Sequence, residues 1–259
     1  MERLLTCAMD IGEQLLISGA EVHRVEESIE RMCRAFGFAR TDVFIITSSM
    51  VVTSYDQDGT PYTQTRRITA STIDIERIHR LNALSRKICS TKTTEEEIRK
   101  DLADALSGKR YGFWTELLCY MMIAGAFTLF FGCMMTETIT PLLVTETIIS
   151  LLVGGIVRVG ILLWELAVNR PIFTKFMSAA VATALAYGAV KLGWINSVDK
   201  IIIGNIMTLI PGIGLTVALR DLFTGDSIAG LLRTIEAILT ALAIAAGYFL
   251  VAALGGFAL

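Results

Sequence analysis

Charge is scarce in the second part of this chain. Residues 1–112 hold 33 of the 48 Asp, Glu, Lys and Arg residues, whereas the longer remainder, 113–259, holds only 15. Most of those 15 lie between apolar segments about as long as the roughly 20 residues that a helix needs to cross a ~30 Å hydrocarbon core. The chain is 53% hydrophobic, with a mean hydropathy of +0.59. The pattern predicts a soluble N-terminal domain attached to a polytopic membrane domain.

Several other properties of the sequence limit the classes of function that it can have. A net charge of −2 gives no support for nucleic acid as a partner. The five cysteines and two histidines have no metal-like spacing, so we expect neither a metal nor another cofactor. There is no Gly-Lys-Ser/Thr phosphate loop, which argues against ATP drive by this chain. No secretory signal is expected at the start, because Glu2, Asp10 and Glu13 interrupt it; the N-terminal domain should stay in the cytoplasm.

The N-terminal domain, residues 1–110, has an α+β pattern. An apolar stripe at helical spacing runs from Ile11 to Phe36 and is interrupted at Ser18-Gly19-Ala20. The interruption indicates either a helix break or small residues where another backbone comes close. Gly37 is a suitable C-terminal cap.

Two strands and two further helices complete this domain. The β-branched segment Asp42–Tyr55 predicts one strand, and Thr60–Thr69 predicts its hairpin partner across a turn at 56–59. An amphipathic helix is expected at Ile73–Ser90. Thr94 with Glu97 forms a capping box for a last helix that runs to Leu106.

The membrane domain, residues 111–259, is expected to contain about five transmembrane helices, at 113–135, 142–166, 172–192, 201–219 and 228–250. Lys109 and Arg110 precede the first span, and the loop after it has no Lys or Arg. This bias predicts a cytoplasmic N-terminal domain and, with five spans, Leu259 on the outer side. Only Lys191 and Lys200, around the third loop, argue for the opposite orientation.

Charges inside the second span are the first candidates for function, because a charge in lipid costs a few kcal/mol and often marks a pathway. Arg158 could act there or could extend to the interface from a tilted helix. Glu146 lies 12 residues earlier, roughly 18 Å along a helix, and is expected near the outer surface. Glu165 follows Arg158 by seven residues, so a pair at the cytoplasmic edge is plausible.

The fourth span contains the most specific segment, in which Pro211-Gly212 interrupts an apolar helix. Broken helices at mid-membrane depth commonly bind substrate, because backbone groups become free to face a cavity. Asn205 and Thr208 are three residues apart, on a face that leads to this break. The alternative is a simple proline kink packed by neighbouring helices.

Charged residues also follow the fourth span. Arg220-Asp221, Asp226 and Arg233 lie between it and the fifth span. Asp226 could be the N-cap of the last helix, and the two arginines could be cytoplasmic anchors.

These segments resemble the threonine/serine exporter family over nearly the whole chain and in order. In the membrane domain the resemblance is carried by Leu209-Ile210-Pro211-Gly212, Ala218-Leu219-Arg220-Asp221-Leu222, Gly225-Asp226 and Gly230. In the N-terminal domain it is carried by Leu15-Leu16, Gly19-Ala20, Arg24-Val25-Glu26, Gly37, Arg67-Ile68 and Leu81-Asn82-Ala83-Leu84.

The resemblance implies export of small amino acids or, in a split two-subunit branch, of dicarboxylates such as succinate. Long members carry a second, shorter membrane block, so this chain resembles the larger subunit of the split branch, in the cytoplasmic (inner) membrane of the cell. The implied partners are the lipid bilayer, a small multi-span subunit and further copies of the chain. Small residues such as Gly154, Ala180 and Gly247 also suit close helix contacts in lipid.

The helix break and the carboxylate substrates that the resemblance implies together assign roles to the candidate residues. Asn205, Thr208, Pro211 and Gly212 would bind substrate at the break. A cation for the substrate carboxylate would be Arg220, which belongs to the shared motif, in preference to Arg158. Proton coupling is the expected drive, with Asp221, Asp226, Glu165 and Glu146 as coupling or gating groups.

Two alternatives use the N-terminal domain differently. A membrane-anchored hydrolase would draw on its Ser and Thr residues and on His23 and His79, but no Gly-x-Ser-x-Gly nucleophile motif is present. The other alternative is a signalling or scaffold role. The expectation is therefore a non-enzyme.

Overall fold

The computed structural model describes residues 1–108, 111–136, 140–168, 170–196 and 198–255. They form a mostly helical chain with one small antiparallel sheet. Two compact units are present: Met1–Lys109 with Gly212–Glu236, and Arg110–Pro211 with Ala237–Leu259. The predicted basic flank, Lys109 and Arg110, and the predicted outer terminus, Leu259, lie outside the described residues.

The first unit begins with two helices, α1 (Glu2–Ile17) and α2 (Val22–Ala35). Gly19 separates them with a φ of +88°, and a Cβ there would lie 2.8 Å from the Thr72 carbonyl oxygen. Both predicted reasons for small residues at this point therefore hold. Gly37, with a φ of +92°, ends α2 in the same way. The Phe38 amide donates to the Cys33 carbonyl at 3.1 Å, the bond that closes a Schellman motif.

The sheet has three strands, β1 (Arg40–Ile46), β2 (Ser49–Tyr55) and β3 (Pro61–Arg67), in the order β1-β2-β3. The prediction of a single strand over Asp42–Tyr55 was wrong, because the chain reverses at Thr47-Ser48. Ile46 pairs with Ser49 across this two-residue turn. Two-residue turns usually contain Asn or Gly, and neither is present, so the turn was invisible in the sequence. The second predicted strand is confirmed as β3.

Helices α3 (Ile75–Ser90) and α4 (Glu95–Leu106) follow the sheet. The Thr94–Glu97 capping box predicted for α4 is present. Together these elements enclose a core of large aliphatic and sulfur-containing side chains, among them Leu5, Met9, Ile29, Met32 and Leu81, all fully buried.

The second unit is built around α5 (Phe113–Thr136), α6 (Pro141–Ala167) and α7 (Pro171–Lys191). These helices and α10 (Ser227–Leu254) are long and apolar enough to cross a membrane, which gives four candidate spans in the described part of the chain. They agree with the first, second, third and fifth predicted spans.

The fourth predicted span is divided. Helix α8 (Asp199–Ile206) ends before a non-helical segment at 207–211, and α9 (Gly212–Thr224) begins after it. Each piece is too short to qualify as a span by itself. The break lies at the predicted proline and glycine, since Pro211 has no amide hydrogen to continue α8.

Small residues allow the helices of the second unit to approach closely. A Cβ at Gly204 of α8 would lie 2.7 Å from the Ala124 carbonyl oxygen of α5, and one at Gly154 of α6 would lie 2.8 Å from the Ala124 Cβ. Gly247 likewise packs on Ala180 of α7. Gly154, Ala180 and Gly247 therefore make contacts inside the chain.

Candidate functional site

Asn205, in the last turn of α8, is the centre of a buried polar network. Its Nδ2 donates to the Ser150 Oγ and to the Ile201 carbonyl oxygen, both at 2.9 Å. Ser150 in turn accepts from the Thr128 hydroxyl at 2.7 Å. The Asn205 Oδ1 is buried and has no hydrogen-bond partner among the described residues. A buried acceptor without a donor costs about 1–3 kcal/mol, so this atom suits a ligand or a water molecule.

Thr208 and Gly212 lie on the two sides of the break and differ in their surroundings. The Thr208 hydroxyl donates to the Asn205 carbonyl oxygen at 2.7 Å and so closes the end of α8. No described atom lies within 4 Å of a Cβ built at Gly212. Asn205 and Thr208 thus lie in adjacent positions at the end of α8, and the predicted substrate-facing role of the two side chains stays a prediction.

A buried ion pair lies one turn along α6 from this network. The Lys200 Nζ is 2.8 Å from the Glu146 Oε2, and the Glu146 side chain is fully buried. From the sequence, Glu146 was not expected to pair with Arg158, which agrees with this contact, and Lys200 was counted as a loop charge. Both side chains lie inside the packing of α6 and α8, where each compensates the charge of the other.

Arg158 forms a second charged contact on α6. It pairs with Glu116 of α5, and its guanidinium lies over the Tyr120 ring, 5.6 Å from the centroid. The expected pair with Glu165 is not formed: Arg158 is 11% exposed and pairs instead with Glu116, whose side chain is 40% exposed. The Arg158 Nη1 is buried and has no hydrogen-bond partner among the described residues.

These groups form a row along α6, which we call the α6 stripe: Glu146, Ser150, Gly154 and Arg158. The four positions are spaced by four residues, so neighbouring members are about one turn apart and the row winds about a third of the way around α6 over roughly 18 Å. Three of them are fully buried, and the Arg158 side chain is only 11% exposed. The α6 stripe thus presents polar groups along a large part of a membrane-spanning helix.

The remaining candidates lie in the first unit. Asp221 of α9 is fully buried and accepts from the Val22 amide at 3.2 Å and from the Arg233 Nη1 at 2.9 Å. Arg233 also donates to the Ala20 carbonyl oxygen at 3.0 Å. Burial raises the pKa of Asp221, and Arg233 opposes that shift. These hydrogen bonds connect the start of α2 to the region where α9 ends and α10 begins, which we call the α9–α10 elbow.

Arg220 and Asp226 belong to the same region, Arg220 in α9 and Asp226 between α9 and α10. Arg220 is exposed and pairs with Glu21. Asp226 precedes α10, and its carbonyl oxygen accepts from the Gly230 amide at 2.9 Å. The Asp226 Oδ2 is buried without a hydrogen-bond partner in the described structure. Burial is the main cause of a raised pKa at Glu26, and the nearby Asp226 adds to it.

Sequence reasoning missed five residues of the membrane site: Glu116, Tyr120, Thr128, Ser150 and Lys200. Their partners are 22 to 72 residues away along the chain, so no local motif identifies them. One pattern could have helped. Ser150 and Gly154 lie between Glu146 and Arg158 at intervals of four residues.

An N-terminal α+β unit, four long apolar helices, and ion pairs buried among those helices define a multi-pass membrane protein. The family model for threonine/serine exporters matches residues 6–255. The chain therefore belongs to the threonine/serine exporter family, a family of membrane transporters. Comparisons with curated proteins and with solved structures give no match.

Proposed function

We propose that this chain is a subunit of a secondary transporter that exports small carboxylate metabolites across the cytoplasmic membrane. The observation that carries the proposal is the α6 stripe, whose buried polar groups lie where lipid or apolar side chains would otherwise be expected. Polar groups in a membrane interior are costly and usually face a pathway. Membership of an exporter family supports transport and does not favour the hydrolase or scaffold alternatives.

The substrate class follows from two unpartnered atoms. The Arg158 Nη1 can only donate a hydrogen bond, whereas the Asn205 Oδ1 can only accept one. The Asn205 Oδ1 lies 3.4 Å from the Cβ position of Gly154, and Arg158 follows Gly154 by one helical turn, roughly 6 Å. A carboxylate satisfies the first atom and an ammonium group satisfies the second. The pair favours an amino acid such as threonine or serine over a dicarboxylate such as succinate.

This geometry changes the preferred cation. The shared motif favoured Arg220, but that side chain is exposed. Arg158 is 11% exposed and, besides its pair with Glu116, keeps a buried donor, Nη1, without a partner among the described residues. We therefore assign the substrate carboxylate to Arg158. Thr208, Pro211 and Gly212 form the break that lets Asn205 reach the α6 stripe.

Proton coupling remains the proposed drive. Among Glu146, Glu165, Asp221 and Asp226, only Glu146 belongs to the α6 stripe. Glu146 is therefore the proposed coupling group, and Lys200 is the charge with which it is paired. Asp221 and Asp226 belong to the first unit and are assigned to its α9–α10 elbow.

The proposed orientation keeps the N-terminal unit in the cytoplasm. Lys200 no longer opposes this orientation, because its charge is compensated inside the helix packing and does not act as a loop charge. The proposed assembly includes a small multi-span partner subunit, further copies of the chain, or both. It is motivated by the resemblance to the split two-subunit branch.

The test measures threonine and succinate transport in inside-out vesicles from cells that express the chain. Arg158→Gln and Asn205→Ala should each lower threonine transport about tenfold, since each removes a hydrogen bond worth roughly 1–2 kcal/mol. Arg170→Gln, at an exposed arginine outside the α6 stripe, is the matched control and should transport normally. Unchanged threonine transport in both site variants, at equal membrane levels, would contradict the proposed site. A preference for succinate would contradict the assignment of an amino acid.

A further inference from the structure

The first unit contains a cavity of about 610 Å³ between α2 and α3, with the end of α1 and the start of α9 closing its sides. Its volume is within the ~300–1,000 Å³ range of small-molecule sites. We call it the α2/α3 cavity. All of its lining residues belong to the first unit, whereas the α6 stripe belongs to the second.

Hydrogen-bond donors without partners line the α2/α3 cavity. Arg24 of α2 and Arg86 of α3 have no ion pair among the described residues. The acidic side chains of the same cavity are already occupied, since Glu27 pairs with Arg31 and Glu21 pairs with Arg220. The cavity therefore keeps free positive charge and lacks free negative charge.

The Ser85 hydroxyl provides a second observation. Ser85 is 6% exposed as a residue, lines the cavity and makes no hydrogen bond within the described structure, and its oxygen is not among the enclosed polar atoms, so it is accessible from the cavity. Asn82, one turn earlier on α3, lines the same cavity. Buried polar side chains in folded proteins are usually hydrogen-bonded. Ser85 together with two unpaired guanidinium groups indicates a ligand rich in acceptor atoms.

The rest of the lining distinguishes an organic anion from an inorganic one. Ile73 and Ile75 contribute apolar side chains to the lining, and they are 51% and 62% exposed. Inorganic phosphate would leave these side chains against water, whereas the carbon skeleton of an organic anion would cover them. We propose that the α2/α3 cavity is a binding site for a small organic carboxylate, held by Arg24, Arg86 and Ser85. This site is additional to the proposed transport site and is tested by binding alone.

Cys89 gives the experiment a local readout. Its side chain is exposed and lines the cavity, so a bound ligand should shield it from a maleimide. The full-length chain is purified with Cys119→Ser and Cys133→Ser, which leaves Cys89 as the accessible thiol. Labelling is done at about pH 8. Partial loss of solvent around the Cys89 sulfur raises its pKa, and the thiolate is the reactive form. The probes are succinate, citrate and inorganic phosphate at one fixed ionic strength.

The expected result is that succinate or citrate slows Cys89 labelling and phosphate does so much less. Arg24→Gln and Arg86→Gln should each raise the carboxylate concentration needed for protection about tenfold, because each removes a charge-assisted hydrogen bond. Arg34→Gln, an exposed arginine of α2 outside the cavity, is the matched control and should behave like the parent protein.

Three results would overturn the proposal: no protection by either carboxylate, equal protection by phosphate, or protection that survives both arginine substitutions. Asn205→Ala keeps these outcomes separate from the transport function. It should abolish the proposed substrate contact on α8 and leave protection of Cys89 unchanged. If a carboxylate protects Cys89 in a chain that does not transport threonine, only the transport proposal is refuted.

Discussion

The cores of the two units differ in how many small and polar side chains they contain. The first unit buries mainly large residues such as Leu5 and Met9, whereas the second buries the alanines of α7 and polar residues such as Ser150 beside large ones such as Ile201. In water, burial of large apolar side chains drives folding. Lipid is as apolar as leucine, so helices there associate through close packing and hydrogen bonds. The side-chain composition of each core therefore fits the surroundings of its unit, water for the first and lipid for the second.

Ion pairs show the same contrast. The Arg40–Asp42 pair on β1 is largely exposed, with side chains 71% and 48% accessible, whereas Lys200 and Glu146 are 12% and 0% accessible. An exposed pair is screened by water and salt and adds little. Arg233–Asp221 is the exception in the first unit, being as buried as the membrane pair. Burial therefore decides which charge pair matters for stability.

The largest expected effect comes from removing one charge of the membrane pair. Glu146→Ala leaves the Lys200 ammonium buried without its partner, which should cost about 3–5 kcal/mol. Thermal unfolding of the purified chain in detergent should show a large fall in Tm. Asp42→Ala is the control in the first unit and should leave Tm nearly unchanged. The double variant Glu146→Leu/Lys200→Met should recover much of the loss. Equal Tm values for Glu146→Ala and Asp42→Ala would refute the contrast.

Glycine substitutions should give the second effect. A Cβ at Gly204 meets the Ala124 carbonyl oxygen at 2.7 Å, whereas a Cβ at Gly12 meets the end of the Ile29 side chain at 2.5 Å. Backbone cannot move as a side chain can, so Gly204→Ala should cost about 1–3 kcal/mol and Gly12→Ala less.

Gly188 is the matched control on α7, because a Cβ there meets no described atom within 4 Å. Gly188→Ala should be neutral or stabilising by up to ~1 kcal/mol, since alanine favours helix. The measurement is again Tm in detergent. If Gly12→Ala proved the most harmful of the three, tight backbone packing would not be what distinguishes the membrane unit.

The smallest effect concerns pH and is confined to the first unit. Burial raises the pKa of Glu26 above its ordinary value of 4.5, and Asp226 and Glu30 add to the shift while His23 and the Ile45 amide oppose it. A raised pKa means that the folded state holds the proton more tightly. Stability from this group is therefore present below about pH 4.5 and is lost as pH rises through the raised pKa.

Glu26→Gln should remove this loss while keeping an oxygen that can accept from the Ile45 amide, 3.1 Å away in the parent. Hydrogen exchange at the Ile45 amide, corrected for intrinsic rates, is the measurement. At pH values above the raised pKa of Glu26, exchange should be slower in the variant than in the parent, and below about pH 4.5 the two should match. Identical protection at every pH would show that Glu26 does not titrate in this way.

Local features were predictable from sequence, and distant pairings were not. The Thr94–Glu97 capping box, the Gly37 helix end and the break at Pro211 each depend on a few neighbouring residues. The Thr47-Ser48 turn lacks the usual turn residues and was read as strand. Arg158 was recognised as a candidate, but its partner Glu116 is 42 residues away. Only the packing of α5 on α6 brings the two side chains together.

The edges of the small sheet limit how copies of the chain can associate. A strand with an open edge tends to recruit another chain, unless proline or charge makes the edge unsuitable. Here β3 begins with Pro61 and ends with Arg66-Arg67, while β1 begins with Arg40 and soon reaches Asp42. Sheet growth from one molecule into the next is therefore disfavoured at both edges. Self-association would then use the exposed apolar faces of the long helices, so lipid rather than water would govern its strength.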